Sequence, residues 1–470
     1  MARGTETTNV KNRQLRLHQN GERPWEGRDD DHRGQINVEI EGDAYVVFKP
    51  SIGALSALDL KDYIAFTVYT ESGGDLEALE NYYSKAGLNT KEAKAFALGL
   101  TKRLERDGWT RTELPEDTAE KLSSVYFTIT RWCDLGCPYC YQGLENRVGT
   151  EMSVEQAELV LDRIKAINPN CQIIVTGGEP FSHSQVFEIL ELVNQKGFPF
   201  VILSNGSYID DKTARFLKGL EKFKYVQISL DGATAEVHEL TRGKGHFEKA
   251  MTGFNNIVAN NLAFKVAPTL HEANVHELPQ IADLALSNGG WLSPNQLKEL
   301  PHAGLNYTYV SLSNDTLRQA LREVNEAMIG KYGFAKFAEM ARTYDSDNPE
   351  VCSVASPNSK FICGMADSLV DIDWNGDVYP CHLSKGPDLL IGNIFEEDFA
   401  SIFQRVEDRG IRVKSNEIEQ CSGCKFVSNC AGGCRAGAWF TYGTLEHHDE
   451  LCEVNYSSNL SRLLIGAGLK

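Results

Sequence analysis

Between Val125 and Leu270 one pattern recurs about every thirty residues: a short apolar run, then a segment with helical spacing. The runs are "VYFTIT", "QIIVTGG", "FPFVILSNG", "KYVQISLDG" and "FKVAPTL". One intervening helix opens on a Ser153–Gln156 capping box and continues through Lys165; others start at Val186, near Asp211 and near Phe247. Such alternation is the signature of parallel βα units, open or barrel-like. Each run is apolar in its body. Three end in small or polar residues: Gly177-Gly178-Glu179, Ser204-Asn205-Gly206 and Asp231-Gly232. In folds of this class the loops after the C-terminal ends of strands build the site, so these termini predict one.

The loop after the first run, "TRWCDLGCPYCYQ", places Cys133, Cys137 and Cys140 in a Cys-x3-Cys-x2-Cys spacing with no fourth cysteine beside them. The N-terminus has no hydrophobic signal core, and no stretch approaches the roughly eighteen apolar residues of a membrane helix. The expected compartment is therefore the cytoplasm, with no membrane partner. There the twelve cysteines read as metal or cluster ligands before they read as disulfides. Three thiolates on a short loop can hold three irons of a cubane and leave the fourth iron open to an outside ligand. Zinc with three cysteines and a water is the alternative. A formal charge of −18 argues against non-specific nucleic-acid binding, which needs a basic surface.

With Cys133, Cys137, Tyr139 and Cys140, the "GGEP" strand end, "SNG" and "SLDG", residues 120–300 resemble the radical S-adenosylmethionine (SAM) enzymes. The resemblance implies a partial (β/α)6 TIM-like barrel of α/β class. It also implies a [4Fe–4S] cluster whose open iron binds SAM, and a 5′-deoxyadenosyl radical that abstracts hydrogen from substrate. By the same resemblance Tyr139 lies near the adenine, and Gly177, Gly178 and Glu179 meet the methionyl ammonium. Ser204 and Asn205 face the ribose or carboxylate, and Arg242 in "TRGKG" pairs with the SAM carboxylate. Asp231 is a candidate to touch substrate, with a turn aspartate as the equal alternative.

A second cysteine-rich region begins at Cys363 and Cys381 and continues as Cys421-x2-Cys424-x5-Cys430-x3-Cys434, then Cys452. It resembles the seven-cysteine SPASM extension of peptide-modifying radical SAM enzymes, which carries two auxiliary [4Fe–4S] clusters, three clusters in all. Carried over, Cys421, Cys424, Cys430 and Cys452 hold one auxiliary cluster, and Cys363, Cys381 and Cys434 the other. Cys352 is a candidate to close the latter; left open, that cluster could instead bind a substrate thiolate. Cys171 reads as a buried small side chain. His382, beside Cys381, could take a proton near neutral pH or serve only in packing.

The expected domains are a flexible or surface-draped segment 1–34, a winged-helix-like unit 35–115, the radical core 116–310, a helical bridge 311–360 and the SPASM domain 361–470. The 35–115 unit rests on two short strands in "INVEIEGDAYVVFKP" and helices at Leu76–Ala86 and Thr90–Asp107. It resembles the leader-recognition domain of enzymes that modify ribosomally made peptides, since an exposed strand edge can accept an extended peptide. The expected activity is oxidative crosslinking, thioether or carbon–carbon, of a precursor peptide or protein. An external flavodoxin- or ferredoxin-type donor would supply electrons. The alternatives are a radical SAM side-chain oxidase or epimerase and, from another class, a zinc-stabilised winged-helix binding protein.

Overall fold

A computed structural model describes residues 36–112, 122–143, 151–298, 300, 312–333, 336, 363–414, 417–430 and 432–466. The segment 1–34, Cys352 and most of the 311–360 bridge lie outside the described residues. Two units result, one from the described residues before position 115 together with Gly423–Val427, the other from most of the remainder.

The first unit is an antiparallel sheet followed by three helices. Strands β1 (Asn37–Glu41), β2 (Ala44–Lys49) and β3 (Ala54–Leu58) pair in the order β1-β2-β3. A two-residue Gly42-Asp43 turn joins β1 to β2, with Glu41 opposite Ala44. Gly42 supplies the positive φ that such a turn needs. Helices α1 (Leu60–Glu71), α2 (Leu76–Lys85) and α3 (Thr90–Arg106) follow, α3 opening on an Asn89–Glu92 capping box. Val47, Leu58, Phe66, Leu79, Tyr83, Ala97 and Leu104 form its core. The sequence patterns reach α2 and α3 but miss β3 and α1, whose "ALSALDLKDYIAF" has neither clean period. Within this unit the buried Lys425 pairs with Glu39 on β1.

The second unit is built on a nine-stranded mixed sheet. In chain order its elements are β4 (Ser124–Thr130), α4 (Val154–Ile167), β5 (Gln172–Gly177), α5 (Val186–Gln195), β6 (Phe200–Ser204) and α6 (Asp211–Lys218). Next come β7 (Phe223–Ile228), α7 (Ala235–Arg242), α8 (His246–Ala259), β8 (Phe264–Val266), β9 (Thr269–Leu270) and α9 (Leu278–Ser287). Further elements include β10 (Trp291–Leu292), β11 (Asn295–Gln296), α10 (Asn314–Tyr332), β12 (Leu369–Ile372), β13 (Asp377–Tyr379), β14 (Gly392–Asn393), α11 (Phe399–Asp408) and, after these, the helix Arg435–Tyr442. The sheet order is β10-β8-β7-β6-β5-β4-β12-β13-β14, parallel as far as β12 and antiparallel beyond it. The six-strand partial barrel expected from the sequence is thus met by a wider sheet, to which β12 adds a strand from beyond Cys363. Its register on β4 runs from Leu369↔Ser124 to Ile372↔Phe127.

Period-two alternation sorts the side chains onto two faces. Cross-strand register aligns Ile372, Phe127, Val175, Ile202, Val226 and Phe264 in one buried row. Each such side chain contributes about 1.5–3 kcal/mol on burial. The same register aligns Asp371, Tyr126, Val201 and Tyr225 on the opposite face, with Thr128, Thr176, Gln227 and Lys265 further along. One face is built for packing, the other carries polar groups. Because the strands run parallel, the cysteine loop after β4 and the polar ends of β5, β6 and β7 reach the same edge. Among the described residues no helix is long and apolar enough to cross a membrane.

Candidate functional site

Leu135, Cys137 and Tyr139 are buried in one small cluster, with Cys133, Cys140 and Leu297 packed against it. The loop is held by Cys140 N–H donating to Cys137 O at 3.2 Å and Leu135 N–H donating to the Cys133 thiol at 3.4 Å. Among the described residues no three His, Cys, Asp or Glu side chains gather as they would around a single metal ion. Gly177 and Gly178 explain themselves sterically. A Cβ on either would lie 2.2 Å from a backbone oxygen of the loop's entry, Thr130 O or Trp132 O. Gly178 and Glu179 N–H groups donate to those same carbonyls at 2.9 and 2.8 Å, so the end of β5 is stitched to the cysteine loop.

Glu179 is fully buried, and its carboxylate accepts from Phe181 N–H (3.1 Å), Ser204 Oγ (2.9 Å) and Asn205 N–H (2.7 Å). Burial raises its pKa to about 7 against the pull of these donors. Asn205 Nδ2 donates to Asp134 Oδ1 at 2.9 Å, inside the cysteine loop. The structure thus brings Gly177, Gly178, Glu179, Ser204 and Asn205 together with the three cysteines.

Asp231 sits at the centre of a buried polar network. It is fully buried and accepts from Arg242 Nε (2.7 Å) and Nη2 (3.2 Å), Thr241 Oγ1 (3.2 Å), Thr269 N–H (2.9 Å) and the Tyr139 hydroxyl. Burial alone would raise its pKa, but the Arg242 guanidinium and the Tyr139 hydroxyl hold it below the usual carboxylate range. Arg242 is likewise buried, its fork occupied by Asp231 and lying 5.9 Å from the Tyr139 ring centre. The ion pair orients Tyr139, between the second and third loop cysteines.

Two histidines extend this network. Asp231 N–H donates to His238 Nδ1 at 3.1 Å, so that ring's proton sits on Nε2 and is directed to His246 Nδ1 at 2.7 Å. The proton of His246 is then on Nε2, which is buried without a partner, as is His271 Nε2 beyond β9. His271 faces Tyr139 with ring centres 6.3 Å apart. Burial first, then the charge of Arg242, lowers His238 to about 3 and His246 to about 4. Between pH 6.5 and these values the unfolded chain takes protons that the folded pair refuses, so stability falls as pH drops through that window. His246→Gln removes one such site. Relative to the parent, it gains about 2 kcal/mol on going from pH 7.5 to pH 5, read by urea unfolding. Glu179 works in the opposite direction but is common to both proteins.

His382 is half-buried, stacked on Tyr126 with centres 3.9 Å apart and edge-on to Tyr141 at 5.5 Å. Burial, and then the neighbouring Lys385 charge, pushes it down to about 3. At that value the ring is neutral near pH 7. The charged groups on this face are ones sequence reasoning missed. Lys385 Nζ lies 3.0 Å from Asp371 Oδ1, 3.2 Å from Thr128 Oγ1 and 3.2 Å from Gln142 Oε1. Burial raises Asp371 to about 6. The available signal was an aspartate inside an otherwise apolar strand, "LVDI".

Of the second cysteine group, Cys363, Cys381 and Cys434 lie in the second unit. Ala366 N–H donates to Pro380 O at 2.9 Å, tying the turn after Cys363 to the residue before Cys381. The Arg435 backbone N–H serves the Cys363 thiol, while Cys434 is the preceding residue. Cys421, Cys430 and Cys452 are in the second unit, and Cys424 is in the segment grouped with the first. Cys171 is buried just before β5.

Residues 127–285 match the radical SAM superfamily and residues 363–425 an iron–sulfur cluster-binding domain, SPASM. The mycofactocin maturase of Mycolicibacterium smegmatis is 27% identical over 332 residues, 69% of this chain and 81% of that protein. The Fe-coproporphyrin III synthase of Methanosarcina barkeri is 27% identical over 368 residues, 73% of this chain and 90% of that protein. Among solved structures, Streptococcus suis SuiB bound to SAM aligns with a TM-score of 0.54 at 16% identity, over 89% of this chain and 98% of that one. SuiB has also been solved with its precursor peptide SuiA. anSMEcpe with bound SAM gives a TM-score of 0.58 at 19% identity, over 73% and 96% of the two chains. At these identities the likeness to solved structures is one of fold.

Proposed function

We propose that this chain, a radical SAM enzyme with a SPASM domain, is a maturase that oxidatively crosslinks residues of a ribosomally made precursor peptide or protein. The observation that carries this is the cysteine loop packed against the polar ends of β5 and β6, in a chain related to a peptide maturase over most of its length. Cys133, Cys137 and Cys140 would hold the cluster that binds SAM. Cys363, Cys381 and Cys434, with Cys352 as a candidate fourth ligand, would hold one auxiliary cluster. Cys421, Cys424, Cys430 and Cys452 would hold the other. When bound, the first cluster and SAM supply a 5′-deoxyadenosyl radical for hydrogen abstraction.

The protein's part is orientation. The Asp231–Arg242 pair fixes Tyr139, for which an adenine partner is expected, and the His246 and His271 Nε2 atoms are free to meet polar groups of a nucleoside. Gly177, Gly178, Glu179, Ser204 and Asn205 brace the loop from the neighbouring strands. The three strands and three helices at the N-terminal end are assigned to leader recognition. The enzyme would work in the cytoplasm with an external electron donor.

The similarity to a porphyrin-forming enzyme supports a second reading, oxidation of a small molecule. Anaerobically reconstituted enzyme, given SAM, dithionite and each short peptide encoded beside its gene, separates the two. Crosslinking predicts 5′-deoxyadenosine together with loss of hydrogen mass from one peptide. No peptide change, with an iron porphyrinoid precursor supplied in its place converted to iron coproporphyrin III, would falsify the maturase reading.

A further inference from the structure

We propose that Lys298 raises the reduction potential of the auxiliary centre held by Cys363, Cys381 and Cys434, an inference that rests on the cluster assignment above. Lys298 follows Leu297, which packs against the buried Leu135, Cys137 and Tyr139 cluster of the first cysteine loop. Only 9% exposed, Lys298 directs its Nζ to Asp449 Oδ2 at 2.9 Å, with Glu450 Oε1 at 3.8 Å. Asp449 is 1% exposed, and the same Oδ2 accepts the Cys434 N–H at 2.8 Å. Its Oδ1 accepts from Leu451 N–H at 3.0 Å, and its own N–H donates to Gly432 O at 2.9 Å. One buried carboxylate therefore joins the "GGC" turn that presents Cys434 to the residues before Cys452. One buried ammonium neutralises it. Two consecutive residues, Leu297 and Lys298, thus touch the first cysteine loop and the carboxylate behind an auxiliary ligand.

Reduction adds a negative charge to a thiolate-bound cluster. A nearby cation stabilises that state, and in a poorly polarisable interior the effect is larger than at the surface. Lys298 and Asp449 act in opposite senses, and removing either leaves the other unopposed. With the ammonium in place the centre is the easier one to reduce, which suits an acceptor for the electron left over when a substrate radical closes a bond.

The test is an EPR-monitored redox titration of reconstituted full-length enzyme, without substrate, after Cys363→Ser has identified the signal of this centre. Lys298→Met is expected to lower its midpoint by at least tenfold in the reduction equilibrium, about 59 mV for one electron. Lys298→Arg is expected to restore it, and Asp449→Asn to raise it. The signal assigned to Cys133, Cys137 and Cys140 moves less in each. Midpoints unmoved by both charge removals, or moved in the same direction by Lys298→Met and Asp449→Asn, overturn the inference. If Cys363→Ser leaves every cluster signal intact, the assignment itself fails and the inference with it.

Discussion

Cys137→Ala is expected to reduce dithionite-dependent SAM cleavage to background while the iron of the auxiliary centres is retained. Cys137 is the most deeply buried of the loop trio, in a cluster with Leu135 and Tyr139, so no other side chain can move in to replace its sulfur. Two thiolates cannot keep three irons, and the open corner that SAM requires is lost with the cluster. Cys171→Ala is the matched control. That thiol is also buried, but it lies just before β5, at the opposite end of the strand from Gly177 and the cysteine loop. Its removal costs packing and leaves cleavage unchanged. Measuring 5′-deoxyadenosine and iron together decides the matter: cleavage that survives Cys137→Ala with full iron removes the first loop from the chemistry.

The parts of this molecule legible in the sequence are those encoded locally. The runs ending at Thr130, Gly177, Ser204 and Ile228 are strands because their apolar bodies are continuous, and the Ser153–Gln156 box caps α4 with bonds of 3.2 and 2.9 Å. Cysteine spacing marks its own loop. What escaped depends on partners distant in the chain or on a third dimension. Leu369–Ile372 joins β4 across some two hundred and forty residues, although the region beyond Cys363 reads as irregular and ligand-organised. The aromatic contacts of His382 with Tyr126 and Tyr141 come from chain positions far from its own. Lys385 gives no sign, in "HLSKG", that its ammonium is buried against Asp371. The buried pairing of Asp231 with Arg242 is visible only in the fold.

That pairing leads to the largest stability effect. Asp231→Leu is expected to destabilise the second unit by about 3–5 kcal/mol, because it leaves the Arg242 charge buried and uncompensated. It also leaves the Tyr139 hydroxyl and Thr269 N–H without their acceptor, so the upper end of that range applies. The double variant Asp231→Leu/Arg242→Met removes both charges, and replacing a whole buried pair by apolar side chains costs far less than breaking it. Urea unfolding of the two proteins should therefore give a smaller loss for the double change than for the single one. Equal losses would mean that Asp231 acts through Tyr139 and Thr269 alone. SAM affinity, measured by equilibrium dialysis on the reconstituted proteins, then separates bracing from contact. If Arg242 only fixes Asp231, the double variant binds SAM weakly in proportion to the disorder of Tyr139, and Tyr139→Phe reproduces part of the loss. If its guanidinium also reaches the cofactor, Arg242→Lys lowers affinity while Tyr139→Phe does not. Either way the pair is the point where the stability of the fold and the orientation of the cysteine loop depend on the same two side chains.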